Sequence, residues 1–264
     1  MSVDAAVSSA FAQANSSAAP LGLKLGSFIV HPNAGLDTYY DSNIYRDSEG
    51  SVGDTVTVLR PGVAVQSDWG RHALAFSADA ALSRYYDNSS ENSDDYRAAL
   101  EGRYDFAHQT FFSLNVSHAQ NHEERGAVDD VGGDAPTRYY KNTAGFGFTR
   151  ALAKLQLFIK AGVDNFTYQD AKNGGIVIDN SARDRNHYNA DIKLAYEFKP
   201  AMAGYFKINP DRRVYKTKVA SEDRSSDGMR ASIGSDFDIT GKVKANMYAG
   251  YIWRNYDHDF QDVR

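Results

Sequence analysis

The sequence predicts an all-β fold: an antiparallel up-and-down transmembrane β-barrel, with about eleven strands present. Three observations carry that prediction. First, apolar and polar residues alternate over repeated runs. In Tyr96-Arg-Ala-Ala-Leu-Glu-Gly-Arg-Tyr-Asp-Phe106 the even positions are apolar or aromatic and Arg97, Glu101, Arg103 and Asp105 fall between them. Successive side chains of a strand point to opposite faces, so such a run has one greasy side and one charged side. Second, the connections switch between tight turns and long acidic loops, as in barrels of the outer-membrane type. Third, the chain of 264 residues has 17 Tyr and 14 Phe, enough for interfacial girdles. Its mean hydropathy is low (-0.53), and no run approaches the roughly 18 apolar residues of a membrane helix.

Each element follows from the same pattern. The first strand is expected over Ser27 to Tyr40, with Phe28, Val30, Ala34, Leu36 and Tyr40 on one face, and a loop over 41–54 follows. The second strand spans Thr55 to Ser67, and Asp68-Trp-Gly-Arg71 forms a tight turn. The third, His72 to Tyr85, puts Leu74, Phe76, Ala78, Ala80 and Leu82 outward and Ser77, Asp79 and Ser83 inward. The loop 87–95 leads to the fourth strand, already described, which Ala107-His-Gln109 turns into a fifth carrying Phe112, Leu114 and Val116. After a loop over 119–137, the sixth carries Tyr140, Ala144, Phe146 and Phe148, and Ala151-Leu-Ala-Lys154 turns it into a seventh with Leu155, Leu157, Ile159, Ala161 and Val163. A loop over 169–186 precedes the eighth, with Tyr188, Ala190, Ile192, Leu194, Tyr196 and Phe198 outward and Asn189, Asp191, Lys193 and Glu197 inward. Lys199-Pro-Ala201 turns into a ninth strand containing Phe206 and Ile208. A tenth (Met229 to Ile239) and an eleventh (Val243 to Trp253) are joined by Thr240-Gly-Lys242. A soluble sandwich would not sort its loops by length, and a parallel β-helix would show a short fixed repeat.

Both ends carry expectations. Ala12-Gln13-Ala14 resembles a signal-peptidase site, although no Lys or Arg precedes it and Asp4 interrupts the apolar stretch. Residues 1–24 are therefore expected to be the tail of an export signal and a disordered arm, with the barrel over 25–264. The segment from Tyr256 to Arg264 reads as the start of a long loop, with no closing aromatic-terminated strand. Single-chain bacterial barrels have even strand numbers, so the expectation is the N-terminal portion of a larger barrel, incomplete at its C-terminus.

Several phrases resemble the bacterial outer-membrane family called putative β-barrel porin 2. They are Tyr40-Asp-Ser-Asn-Ile-Tyr45, Leu59-Arg-Pro-Gly62, Trp69-Gly-Arg-His72 and Arg84-Tyr85. The phrases lie in the first third of the chain, and the strand rhythm agrees over the rest. The resemblance implies a barrel often found with exopolysaccharide or capsule export systems, and it supplies no catalytic residues. Relative to that family, the chain stops before a closing strand.

The candidate functional residues are the charges on the inward faces: Arg97, Glu101, Arg103, Asp105, Lys160, Asp164, Asp191, Lys193, Glu197, Arg230, Asp236, Asp238, Lys244 and Arg254. An Arg or Lys facing lipid at the bilayer midplane costs about 2–4 kcal/mol, so these side chains are expected to face a lumen. They mix both signs, so no anion or cation filter is predicted. They either orient polar solutes in a transverse field or pair across strands and fill a hydrated interior. Tyr40, Tyr85, Tyr96, Tyr140 and Tyr188 are expected to form an aromatic girdle.

Other chemistries find less support. His118 and His122 lie about 13 Å apart on a strand, too far for one ion, and Asp41-Ser-Asn43 begins like a calcium loop that Tyr45 breaks. No metal, cofactor or catalytic constellation is expected. With 0 Cys there is no disulfide or thiol chemistry, and a net charge of -5 argues against nucleic acid. Asp41, Asp47, Glu49, Glu91, Asp94, Asp95, Asp129, Asp130 and Asp134 read as solvated loop acids, with loose cation bridging to lipopolysaccharide as the alternative. The expected location is the bacterial outer membrane, with its lipid and lipopolysaccharide as partners; polysaccharide or an export complex is the further partner that the resemblance implies. Two roles stay open, a porin-like conduit for polar solutes and a plugged docking barrel of an export assembly. A barrel hydrolase is the weakest reading.

Overall fold

The computed structural model describes residues 22–218, 223–240 and 243–257. The export signal expected over 1–14, the turn residues 241–242 and the last residues 258–264 lie outside the described residues. Among the described residues fourteen strands run in chain order. They are β1 (Leu23–Leu25), β2 (Phe28–Asp41), β3 (Asp54–Ser67), β4 (Ala73–Tyr85), β5 (Ser93–Ala107), β6 (Thr110–His122) and β7 (Arg138–Leu152). Then come β8 (Leu155–Tyr168), β9 (Ala171–Asn173), β10 (Ile176–Ile178), β11 (Arg185–Lys199), β12 (Met202–Tyr215), β13 (Ser226–Thr240) and β14 (Val243–Tyr256). All but β9 and β10 form one antiparallel, up-and-down sheet of 12 strands in the order β1 to β8, then β11 to β14. β9 and β10 make a small hairpin inside the loop after β8.

Eleven of the strands in the large sheet are 13–15 residues long. They coincide with the runs of alternation, and β5, β13 and β14 extend the expected strands by about three or four residues. β1 is the departure. The arm expected through residue 24 gives way earlier, because Leu23–Leu25 fold back on Phe28–Val30. Gly26, at φ 60°, makes that turn in a conformation that costs a side-chain-bearing residue about 1–2 kcal/mol. Lys24 reaches Asp68 at 2.7 Å in the next tight turn. Among the described residues, β1 and β14 are the two edges of the sheet and do not pair with one another.

The register sorts the side chains onto two faces. Phe76, Leu100, Val116, Ala144, Val163 and Tyr188 oppose one another in sequence across β4, β5, β6, β7, β8 and β11. Large apolar side chains of this face stay open: Leu114 is 53% exposed, Phe146 47% and Phe206 52%. The opposite face crowds inward, since Val56, Val58, Ala99, Ala119, Ala195 and Tyr205 on it are buried. Side chains spread on a convex surface and converge on a concave one, so the sheet curls around its charged face. Contacts that skip a strand agree with that curl. Lys193 of β11 reaches Asp236 of β13 at 2.9 Å, and Arg254 of β14 reaches Asp211 of β12 at 2.8 Å.

Candidate functional site

Every charge singled out in the sequence lies on the concave face. Arg97 opposes Asp79 and Ala119, Glu101 opposes Ala75 and Asn115, Arg103 opposes Ser113, and Asp105 opposes Phe111. Lys160 opposes Gly147 and Asp191, while Asp164 opposes Thr143 and His187. Lys193 opposes Phe158 and Lys207, Glu197 opposes Ala203, and Ala203 opposes Asp236. Arg230 opposes Asn209 and Ile252, Asp238 opposes Lys244, and Arg254 opposes Gly228.

Pairing on this face avoids the worst juxtapositions. Lys193 and Lys207 stand directly opposite, an arrangement that costs stability when unrelieved. Each turns to an acid elsewhere, Lys207 to Asp191 at 2.7 Å and Lys193 to Asp236 at 2.9 Å. Lys193 also lies 4.2 Å from the Tyr205 ring centroid. Asn246 completes this cluster, donating from Nδ2 to the Tyr205 hydroxyl at 3.0 Å and to Asp236 Oδ1 at 2.6 Å. A second cluster joins Arg254 to both oxygens of Asp211, at 2.8 and 2.9 Å, and to the Ser226 hydroxyl. His187 Nε2 stands 3.5 Å from Asp211. In a third, Asp164 accepts from the Thr143 hydroxyl at 2.6 Å and meets Lys141 at 3.5 Å. Arg103 pairs with Asp105 at 2.6 Å and lies over the Phe111 ring. Backbone space matters between these clusters: a Cβ on Gly145 would collide with Asn115 Oδ1, so glycine there leaves room for that amide against the wall.

Sequence reasoning missed several participants. Asp211, His187, Lys141 and Asn246 were not singled out, and the ninth strand was read through Phe206 and Ile208 alone. Lys207, lying between those two apolar residues, was the available signal.

Of the acids expected to be solvated, Asp47, Glu49, Asp129 and Asp134 are exposed, but Glu91 is not, and the long loops also hold buried ion pairs. Glu91 is buried and takes a bidentate contact from Arg125 at 2.7 Å on each oxygen. Arg125 also donates to Gly133 O at 2.8 Å and lies 5.8 Å from the Tyr45 ring centroid. The hydrogen-bonded Glu91 carboxylate raises the Arg125 pKa above its ordinary value. Arg183 grips both oxygens of Glu123, and Arg224 donates to Ala182 O. Asp134 N donates to Lys172 O at 2.6 Å. Buried Asp54, at the first residue of β3, accepts from the backbone N–H groups of Tyr86, Asp87 and Asn88 and from the Asn88 side chain. These links tie the loops after β2, β4, β6, β8 and β12 into one layer.

Among the girdle residues, Tyr40, Tyr96, Tyr140 and Tyr188 lie on the apolar face, opposite Thr55, Gln120, Gln120 and Val163 respectively. Tyr85 does not. It opposes Val56, on the concave face, because it follows Arg84 by one residue and the side-chain period is two. The histidines are also apart in role: His118 Nδ1 contacts Asn142 Oδ1 at 2.7 Å and His122 Nδ1 contacts Asp95 Oδ2 at 2.8 Å. Among the described residues no group of three His, Asp or Glu is placed to hold a metal ion, and no helix is long and apolar enough to cross a membrane.

The described residues form an all-β protein built on a single curled, up-and-down antiparallel sheet, apolar on its convex side and ion-paired on its concave side. The chain matches the family model described as putative beta-barrel porin 2 over residues 16–263, and it belongs to that family. No curated protein matches it. Membership of a porin family points to a non-enzymatic role.

Proposed function

We propose that the chain is a transmembrane barrel protein of the Gram-negative outer membrane, carried there by an export signal, whose concave face lines a hydrated conduit for polar solutes. One observation carries the reading above the rest. Charges of both signs occupy one face in partly exposed pairs, while the other face presents large apolar side chains to its surroundings. Lipid accepts the second face and rejects the first. The mixed signs give a transverse field that orients dipolar solutes without selecting strongly for one ion. The long loops face outward and the tight turns face the periplasm. The partners are outer-membrane lipid and lipopolysaccharide, and the family resemblance suggests a polysaccharide export system as the setting.

Single-channel current through the purified protein in a planar bilayer tests the conduit. Stable ohmic steps with weak ion selectivity are expected. A specific observation favours a second reading: the loops interlock through Glu91–Arg125 and Glu123–Arg183, and such a layer suits a plugged docking barrel of an export assembly. Silence from demonstrably inserted protein would select that second reading.

A further inference from the structure

The convex face carries one feature that an evenly lipid-bathed surface does not need. Near its long-loop end, a row of polar side chains crosses four strands at one level: His118 of β6, Asn142 of β7, Asn165 of β8 and Asn186 of β11. They are joined in a single direction. Asn165 Nδ2 donates to Asn186 Oδ1 at 2.7 Å, and Asn142 Nδ2 donates to Asn165 Oδ1 at 3.3 Å. Asn142 therefore turns its Oδ1 to His118, whose Nδ1 lies 2.7 Å away and must donate. A neutral imidazole with its proton on Nδ1 presents Nε2 as a bare acceptor. The ring is held between Tyr96 and Tyr140, with centroid distances of 5.9 and 5.8 Å, and the side chain is exposed.

Immediately toward the tight-turn end, the same face opens into a groove of about 410 Å³. Leu100, Val116, Ala144 and Val163 form its floor, Phe76 lies at one side, and His118, Asn142 and Asn165 close its head. Ala144, flanked by larger neighbours, supplies much of the depth.

The geometry points to a specific lipid site: one membrane lipid with an N–H-bearing head group lays an acyl chain in this groove and donates that N–H to His118 Nε2. The assignment rests on the membrane-barrel reading above. Two matches argue for that occupant over a second copy of the chain. The groove is continuous with the apolar convex face, and its polar head offers an acceptor between Tyr96 and Tyr140, two of the tyrosines expected of an interfacial girdle. Donation along the amide chain also polarises the row toward His118 and strengthens that acceptor.

Native mass spectrometry tests this on full-length protein reconstituted in vesicles of equal phosphatidylethanolamine and phosphatidylcholine with identical acyl chains. Phosphatidylethanolamine serves as the probe, since of the two only its head group has an N–H to donate. The wild type is expected to retain phosphatidylethanolamine about tenfold over phosphatidylcholine, about 1.4 kcal/mol. His118→Phe keeps the ring stack and should bring the ratio to near one. Asn142→Leu, which frees the imidazole tautomer, should lower it as well. Ala144→Phe fills the groove and should lose bound lipid of both kinds, with channel currents unchanged. Equal retention of the two lipids by the wild type would overturn the site. So would a protein dimer that Ala144→Phe dissolves, because the groove would then belong to a second copy. Failure to insert, read as no heat-dependent shift in gel mobility, would overturn the barrel reading itself.

Discussion

The strand face and the long loops both pair acids with bases, and they do so at different depths. On the concave face the partners stay partly open: side-chain exposure is 26% for Lys193 and 43% for Asp236, and 30% for Lys207 and 38% for Asp191. In the loops Arg125 and Glu91 are 10% and 2% exposed, and Arg183 and Glu123 are 17% and 9%. Half-exposed pairs contribute little to stability, typically about 0.2–1 kcal/mol. Breaking a buried pair leaves an uncompensated charge and costs about 3–5 kcal/mol. Charge on the face is therefore available to solutes and replaceable, whereas charge in the loops is structural. The same residue types do two jobs, separated by burial.

Removing one loop partner should give the largest effect. Arg125→Ala leaves the Glu91 carboxylate buried and unpaired, and a destabilisation of about 3–5 kcal/mol is expected in urea unfolding from vesicles. If Arg125→Ala proves as mild as a face substitution, the distinction in depth fails. Next comes the contrast between the two faces themselves. Leu114→Arg on the convex side should cost about 2–4 kcal/mol, while Asn115→Arg, one residue along, should cost well under that in the same assay. The smallest effect on stability is expected within the face. Asp236→Asn should change stability by about 0.2–1 kcal/mol. It deletes one negative charge beside Lys193, so reversal potentials should move toward anion preference, a shift that a merely space-filling charge would not produce.

The face was legible in the sequence because a period of two forces it. Once Leu100 and Glu101 are on opposite sides, antiparallel pairing carries the assignment to Val116 and Asn115 and onward across the sheet. Tyr85 shows the limit of that reasoning. A tyrosine at a strand end suits a girdle by composition, but its parity with Val56 puts it on the other face. The loops were not legible. Glu91 and Arg125 are 34 residues apart, and nothing in the local pattern of either distinguishes a buried bidentate pair from two solvated charges. Likewise nothing local marks Asn142, between Tyr140 and Ala144, Asn165, just beyond Val163, or Asn186, at the end of the loop expected over 169–186. Their alignment into one row exists only after β7, β8 and β11 are in register.

The central claim is that the concave face meets water and the convex face meets lipid. Because the chain has 0 Cys, single cysteines can be introduced without background. Labelling vesicle-inserted Leu100→Cys, Glu101→Cys, Asn115→Cys and Val116→Cys with a membrane-impermeant maleimide tests the claim most directly. The account predicts modification at positions 101 and 115 and protection at 100 and 116. Equal labelling at all four, or the reverse alternation, would contradict it.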